Sequence, residues 1–284
     1  MVGSVNHRRN LDPENITKER TMKSFAILSA LCFVSSTSLF AQDGPGQSQV
    51  KIGNVSYSGS GCPQGSIGSN ISDDGEAFTL IFDDYTVEKI GNAAERRTCS
   101  ISIDLGHPAG WRYALVAAHV RGYATLDAGL HGQQTIRVKG AGEMINAKLK
   151  LSGPYDDNFQ QSKEAPVRQL SWSKCSKGSD RLRIDTAIML TGGRGDGVVT
   201  VDSLDGDVRQ KYSLAWQRCD GSAPYVAVCH AVSQSGKVYE VSASGTAASA
   251  EKARDKAGSK AKSKCSARSG GACKVTSCEV GAAT

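Results

Sequence analysis

The sequence predicts a mainly β protein, an antiparallel β-sandwich followed by a small C-terminal β-β-α-β module. Three observations carry this. Residues 50–219 alternate apolar and polar side chains in short runs broken by Gly and Asp, with no sustained 3.6-residue period. Residues 246–264 (TAASAEKARDKAGSKAKSK) then switch to an Ala- and Lys-rich composition suited to one helix. Eight cysteines are spread along the chain beyond residue 41, the framework of an exported fold.

From the N-terminus, residues 1–21 are polar and precede a good initiator at Met22. They are read as an extension outside the fold or as a long n-region. Residues 22–41 form a secretory signal: Lys23 supplies the positive charge, Phe25–Val34 (FAILSALCFV) the apolar run, and Ala41 the small residue before cleavage. That run is short of the ~20 residues a membrane span needs. Lipid attachment through Cys32 is disfavoured by the large Leu31 before it.

Residues 42–219 are expected to form the disulfide-stapled sandwich. Thr79-Leu-Ile-Phe82 reads as a buried strand. Ile101, Ile103 and Leu105 alternate with Ser100, Ser102 and Asp104, a half-buried strand. Residues 113–123, 182–190, 198–204 and 212–216 read similarly. Trp111, Trp172 and Trp216 are assigned to packing rather than to a ligand platform.

Residues 220–224 (DGSAP) form a turn-rich linker. In the module, residues 225–284, a hairpin of 225–232 and 238–242 precedes a helix capped by Thr246 and running to about Cys265, with a closing strand at 274–279. Ala250, Ala253, Ala257, Ala261 and Cys265 share one helix face. Cys229 and Cys278 would then lie on neighbouring strands, and Cys265 and Cys273 would staple helix to strand. In the sandwich Cys62 is paired with Cys99 and Cys175 with Cys219, although connectivity is not fixed by sequence. With no C-x-x-C pair and His230 the only histidine near, disulfides are favoured over zinc.

The whole chain carries a net charge of +6. Residues 229–284 contribute nine basic and four acidic side chains, so the basic excess lies in the module. Lys252, Lys256, Lys260 and Lys264 recur at every fourth residue and read as an anionic-surface contact, with a solvated helix face as the plainer alternative. No aromatic side chain stands in the helix to stack on bases, which counts against nucleic acid.

The large domain resembles an uncharacterised family of secreted proteins from bacteria and fungi, a domain of unknown function. The resemblance rests on Gly61-Cys-Pro-Gln-Gly-Ser66, Ser72-Asp-Asp-Gly75, Phe78-Thr-Leu-Ile-Phe-Asp-Asp-Tyr85, Arg121-Gly-Tyr123, Leu126-Asp-Ala-Gly129, Ser152-Gly-Pro-Tyr-Asp-Asp157, Trp172-Ser-Lys-Cys175 and Trp216-Gln-Arg-Cys219. It spans roughly residues 50–219, and the four cysteines fit the family's pattern. It implies compartment and fold class and brings no catalytic residue. The basic, Cys-rich tail is an addition to the family domain.

Acidic doublets mark the strand ends: Asp73-Asp74, Asp83-Asp84 and Asp156-Asp157. Asp202, Asp205 and Asp207 form an oxygen-rich loop of the type calcium uses, without EF-hand spacing; turn capping explains such residues equally. Neighbouring aspartates point to opposite sides of a strand, so no doublet is by itself the carboxylate pair of a glycosidase. None of the motifs Gly-x-Ser-x-Gly, His-Glu-x-x-His or a catalytic Cys signature occurs, and His107, His119, His131 and His230 are read as structural. Arg194-Gly-Asp196 sits among four glycines that a hairpin turn would require anyway.

The expectation is a secreted, or periplasmic, non-enzymatic binding or envelope-associated protein. Its partner class is anionic polysaccharide or envelope surface. The alternatives are a glycan hydrolase using Asp carboxylates and a calcium-stabilised structural domain. No other cofactor is expected.

Overall fold

The computed structural model describes residues 44–45, 47–91, 93–140, 143–175, 178–201, 210–234 and 240–282. The signal expected at 22–41 and residues 1–21 before it lie outside them. In chain order the strands are β1 (Lys51–Ser58), β2 (Ile67–Ile71), β3 (Ala77–Phe82), β4 (Thr86–Lys89), β5 (Glu95–His107), β6 (Trp111–Leu126), β7 (Leu130–Lys139), β8 (Glu143–Ser152), β9 (Tyr155–Glu164), β10 (Gly178–Gly192), β11 (Gly197–Thr200), β12 (Gln210–Arg218), β13 (Tyr225–Ser233), β14 (Glu240–Ala247) and β15 (Cys273–Ala282). One helix, α1 (Ala250–Ser269), lies between the last two. Two sheets form the sandwich, a five-stranded one ordered β1-β5-β10-β7-β8 and a larger one ordered β2-β3-β12-β6-β11-β4, with β9 along the other edge of β6. All pairings are antiparallel.

The alternation read from the sequence is what closes the two sheets. In β5 the residues Cys99, Ile101, Ile103 and Leu105 are buried while Ser100, Ser102 and Asp104 between them are half-exposed. In β10, paired to it, Leu182, Ile184, Ile188 and Leu190 are buried, with Ile184 opposite Ile101. Phe78, Leu80, Tyr212 and Leu214 meet them from the larger sheet, and Phe78 stacks on Tyr212 with ring centroids 4.8 Å apart. Burying each such side chain stabilises the fold by roughly 1.5–3 kcal/mol. Trp111 and Trp216 belong to this core, and the Trp216 indole donates to the Gly75 carbonyl at 2.9 Å. Trp172 packs instead against the smaller cluster of Val116, Val167, Ala215, Val226 and Val228, under the Arg112 guanidinium.

Strands β7, β8 and β9 were not marked by the sequence reading. β9 (YDDNFQQSKE) buries only Phe159, so it carries no apolar alternation to detect. The strand expected at 198–204 is described only to Thr200, because 202–209 lie outside the described residues.

The C-terminal residues form the expected β-β-α-β unit, with β13 between β14 and β15. One correction concerns the helix start. Thr246 lies in β14, where its hydroxyl donates to the Trp216 carbonyl at 2.9 Å; Ser249 is the N-cap, accepting from the Lys252 amide at 3.3 Å. Ala253, Ala257, Ala261 and Cys265 pack on Ala227, Cys229 and Ala231. Methyl-sized side chains let α1 lie close to the sheet, closest at Gly245 in β14, where an added Cβ would sit 2.8 Å from the Ala257 amide.

The other face of this small sheet packs on the sandwich. Val226 and Val228 of β13 meet Val116, Ala215 and Val167 on the outer side of the larger sheet. The Ser244 hydroxyl donates to the Leu214 carbonyl at 3.1 Å, and Glu279 accepts from the Val167 amide at 3.1 Å. Residues 220–224 are therefore a turn between docked layers, and residues 41–284 form one compact unit. The stack is four layers deep: five-stranded sheet, larger sheet, small sheet, helix. Disulfides join Cys62 to Cys99, Cys175 to Cys219, Cys229 to Cys278 and Cys265 to Cys273, the same pairs the sequence reading assigns.

Candidate functional site

The small sheet covers the middle of one outer face of the sandwich, and the outer face of the five-stranded sheet stays open. The register fixes which side chains it displays. Residues of β5, β10, β7 and β8 fall into cross-strand rows: Arg96–Met189–Gln133–Lys150, then Thr98–Ala187–Thr135–Lys148, then Ser100–Asp185–Arg137–Asn146, then Ser102–Arg183–Lys139. Arg181, opposite Asp104, follows on β10. Strand periodicity of two sends every one of these to the same side. These four strands thus place seven cations on the face, Arg96, Arg137, Lys139, Lys148, Lys150, Arg181 and Arg183, and all seven side chains are exposed.

Two carboxylates among the described side chains share that face, and both are neutralised on it. Asp104 accepts from Arg181 Nε at 2.8 Å and Nη2 at 3.3 Å. Asp185 accepts from Ser100 Oγ at 2.7 Å and from Arg183 Nε at 3.1 Å. Partial burial would raise the Asp185 carboxyl, but the Ser100 hydroxyl and the Arg183 guanidinium outweigh it and hold it below its usual range. The seven cations outnumber these two carboxylates. His131, whose Nδ1 lies 3.3 Å from Ser152 Oγ, follows in the row beyond Gln133 and is the one ring on this face among the described residues.

The second row is short in the middle: Thr98, Ala187 and Thr135 stand between rows carrying Arg96 on one side and Asp185 and Arg137 on the other. The difference in side-chain length leaves a hollow of about 410 Å³ lined by Arg96, Thr98, Ser100, Thr135, Arg137, Asn146, Asp185 and Ala187.

The lysines singled out on the helix divide. Lys252 is exposed. Lys256 Nζ donates to the Thr246 carbonyl at 3.4 Å. Lys260 pairs with Glu76, and Lys264 bridges Asp74 at 2.7 Å and Glu76 at 2.9 Å. The reason is angular. At 100° per residue the lysines stand a quarter-turn from the buried alanines, at the flank of α1 rather than opposite them. Long stems reach from that flank to the loop before β3. Burial would drive the Lys264 ammonium down, but Glu76 and Asp74 outweigh it and hold it above its ordinary value. Asp74 is likewise held well below the carboxylate range, burial being outweighed by Lys264, Ser72 and the Glu76 amide.

Asp83 and Asp84 are exposed turn residues. Asp156 accepts from the Tyr123 hydroxyl, and Asp157 accepts from the Asn158 amide at 2.6 Å. Asp202, Asp205 and Asp207 lie outside the described residues. Among the described residues no three His, Cys, Asp or Glu side chains come together to hold a metal. His107 lies 3.2 Å from Asp180 and His230 2.8 Å from Glu164, each under a sheet. His119 sits at the docked interface against Ser162, Ser213 and Ser242. The turn holding Arg194-Gly-Asp196 wraps the buried Lys89, whose ammonium donates to the carbonyls of Gly91, Gly193 and Gly195, while Asp196 accepts from the Gly91 amide at 3.3 Å.

The open face was missed at the sequence level. Its signal is present, as cation-x-cation spacing in Arg137-x-Lys139, Lys148-x-Lys150 and Arg181-x-Arg183. Averaging charge over residues 24–228, which nets to −1, hides it.

Residues 48–219 match the family described as a domain of unknown function, DUF4360. An uncharacterised secreted protein of the fungus Arthroderma benhamiae is 30% identical over 181 residues, covering 62% of this chain and 74% of the relative. Among solved structures, the chain is similar to TmCBM61, solved in complex with beta-1,4-galactotriose, at 12% identity and a TM-score of 0.21 over 61% of this chain and 94% of that one. The family 11 carbohydrate-binding module from Clostridium thermocellum, solved with a mixed-linked tetrasaccharide, gives 10% identity and a TM-score of 0.17 over 58% and 95%. Four disulfides and a relative described as secreted place this protein outside the cytoplasm. No helix among the described residues is long and apolar enough to cross a membrane.

Proposed function

We propose that this chain, which belongs to the DUF4360 family, is an exported, non-enzymatic binding protein that holds acidic polysaccharide on the open face of its five-stranded sheet. Export would proceed with cleavage after Ala41. The observation that carries the reading is the set of seven exposed cations on one sheet face, facing two carboxylates already paired there. A repulsive surface of this kind costs stability unless something anionic occupies it. Outside a cell, polymers bearing carboxylate or sulfate groups meet that requirement. Nucleic acid fits less well, because the described part of this face offers His131 as its single ring and base stacking needs several.

A carboxylate-based hydrolase finds less support. Asp74 and Glu76 converge, but both are bound by lysines of α1.

Retention of the mature protein on acidic and neutral polysaccharide matrices tests the reading. Exposed charges are screened over about 8 Å at physiological salt, so retention should be confined to the acidic matrix and fall as salt rises. The combined variant Lys139→Gln, Lys148→Gln, Lys150→Gln should elute at lower salt. Equal retention of that variant and wild type would overturn the assignment of the face.

A further inference from the structure

We infer that the hollow at Ala187 is a subsite for a single carboxylated sugar unit, so that the protein distinguishes uronic-acid polymers from sulfated ones. This rests on the binding role proposed for the same sheet face and adds a ligand class to it.

The argument starts from row heights. Thr98, Ala187 and Thr135 are aligned across three strands, and the central residue carries only a methyl group. On each side the rows carry long or charged groups, Arg96 on one and Asp185 with Arg137 on the other. The resulting space of about 410 Å³ lies within the range of small-molecule sites, about 300–1,000 Å³. A purely electrostatic polymer contact needs no such depression, since phosphate- or sulfate-type attraction works as well on a flat surface.

The lining is chemically mixed in a specific way. Arg96 and Arg137 are guanidinium groups, whose planar fork matches a carboxylate through two parallel N–H···O bonds. Asn146 offers both a donor and an acceptor, Thr98, Thr135 and Ser100 offer hydroxyls, and Asp185 offers only acceptor oxygens. Asp185 is fixed in place by Ser100 and Arg183, so its orientation costs little to maintain. Asp185 repels any anion set beside it, so it selects by position: a uronic acid keeps its ring hydroxyls free to donate to Asp185, whereas a sulfate ester consumes a hydroxyl and puts its charge there. One ring bearing a carboxylate and vicinal hydroxyls uses the whole set: carboxylate toward the guanidinium groups, hydroxyls toward Asp185, Asn146 and the threonines.

Ala187 gives a test that leaves the charge untouched. Its side chain points into the hollow from the solvent side of β10, so Ala187→Leu fills the space while all seven cations remain. Binding of a short oligogalacturonide to the mature protein is measured by titration calorimetry beside its carboxyl-reduced counterpart and a sulfated oligosaccharide of similar charge. Retention on an acidic matrix is measured in parallel, and circular dichroism checks that the variant is folded. The oligogalacturonide should bind saturably, at least about tenfold more tightly than either control, and Ala187→Leu should cost at least about tenfold in its affinity. Matrix retention of Ala187→Leu should match wild type. Arg137→Gln should reproduce the affinity loss, with a modest loss of retention. If the sulfated compound binds as well as the oligogalacturonide, or Ala187→Leu binds it unchanged, the subsite is overturned while the charged-face reading stands. If wild type shows no salt-sensitive retention on the acidic matrix, both are overturned together.

Discussion

Adding one methyl group at two glycines of the small module should move stability in opposite directions. At Gly245 a Cβ would meet the Ala257 amide nitrogen at 2.8 Å, Lys256 Cβ at 2.9 Å and the Ala253 carbonyl oxygen at 3.1 Å. Two of these are backbone atoms of α1, and the helix face there is made of alanines, which have no rotamer to change. The helix must therefore retreat as a body and loosen its contact with Ala227 and Ala231. Overpacking of this kind costs about 1–3 kcal/mol. Gly258, the helix residue next to Ala257 and also buried, has only Val275 Cγ2 at 3.8 Å and Cys229 Sγ at 4.0 Å near its added Cβ, which is ordinary contact. Its replacement by Ala carries the helix-interior gain of about 1 kcal/mol with no clash. Guanidinium unfolding of the disulfide-intact protein, followed at 222 nm, should place Gly245→Ala below and Gly258→Ala above wild type, separated by roughly 2–4 kcal/mol. A Gly245→Ala protein as stable as wild type, or a Gly258→Ala protein less stable, would show that α1 does not lie on the sheet in this register.

Three further outcomes follow from the docked module. Glu76→Gln should destabilise by about 1–2 kcal/mol, less than a fully buried pair would cost because Lys260 and Lys264 remain partly solvated, and limited proteolysis should release the module more readily. The His119 imidazole is pushed down to about 4, first by burial, then by Lys211, with Arg268 and His230 adding to the effect and Glu164 opposing it. An unfolded histidine titrates near 6.5, so as pH falls the unfolded chain takes the proton first; stability is full above about pH 6.5 and declines on the order of 2 kcal/mol toward pH 4, a slope His119→Gln should remove in denaturation curves measured across that window. Alkylation of the unreduced mature protein should add no label by intact mass, since all eight cysteines are paired; two or more modified thiols would contradict the framework.

How much was legible in the sequence depended on whether one element carried the information. β5 announced itself because Ile101, Ile103 and Leu105 alternate within five residues. The alanine face of α1 did so because 3.6-residue spacing is local. The cap was misplaced by three residues because Thr246 and Ser249 are both capping types, and the length of β14 decides between them. β7 and β8 escaped notice because their outward residues are long cations and amides, which dilute the apolar period. The candidate face escaped for a deeper reason: its rows are assembled from four strands, and Arg96, Arg137 and Lys150 become neighbours only through register. The lysine stripe shows the converse. Its periodicity was visible, but Glu76 lies 184 and 188 residues from Lys260 and Lys264, so the ion pairs were not.

The docking of the small sheet sets the shortest piece of this chain that can behave as a well-mannered protein. A fragment ending at residue 219, where the family match stops, would leave Val116, Ala215 and Val167 wet, strip Lys260 and Lys264 from Glu76, and present a sheet surface evolved to be covered. Such an exposed apolar area invites self-association. Expression boundaries for this protein, and any attempt to graft its sandwich onto another scaffold, should therefore carry the chain through β15, because the added tail doubles as the lid of the domain it follows.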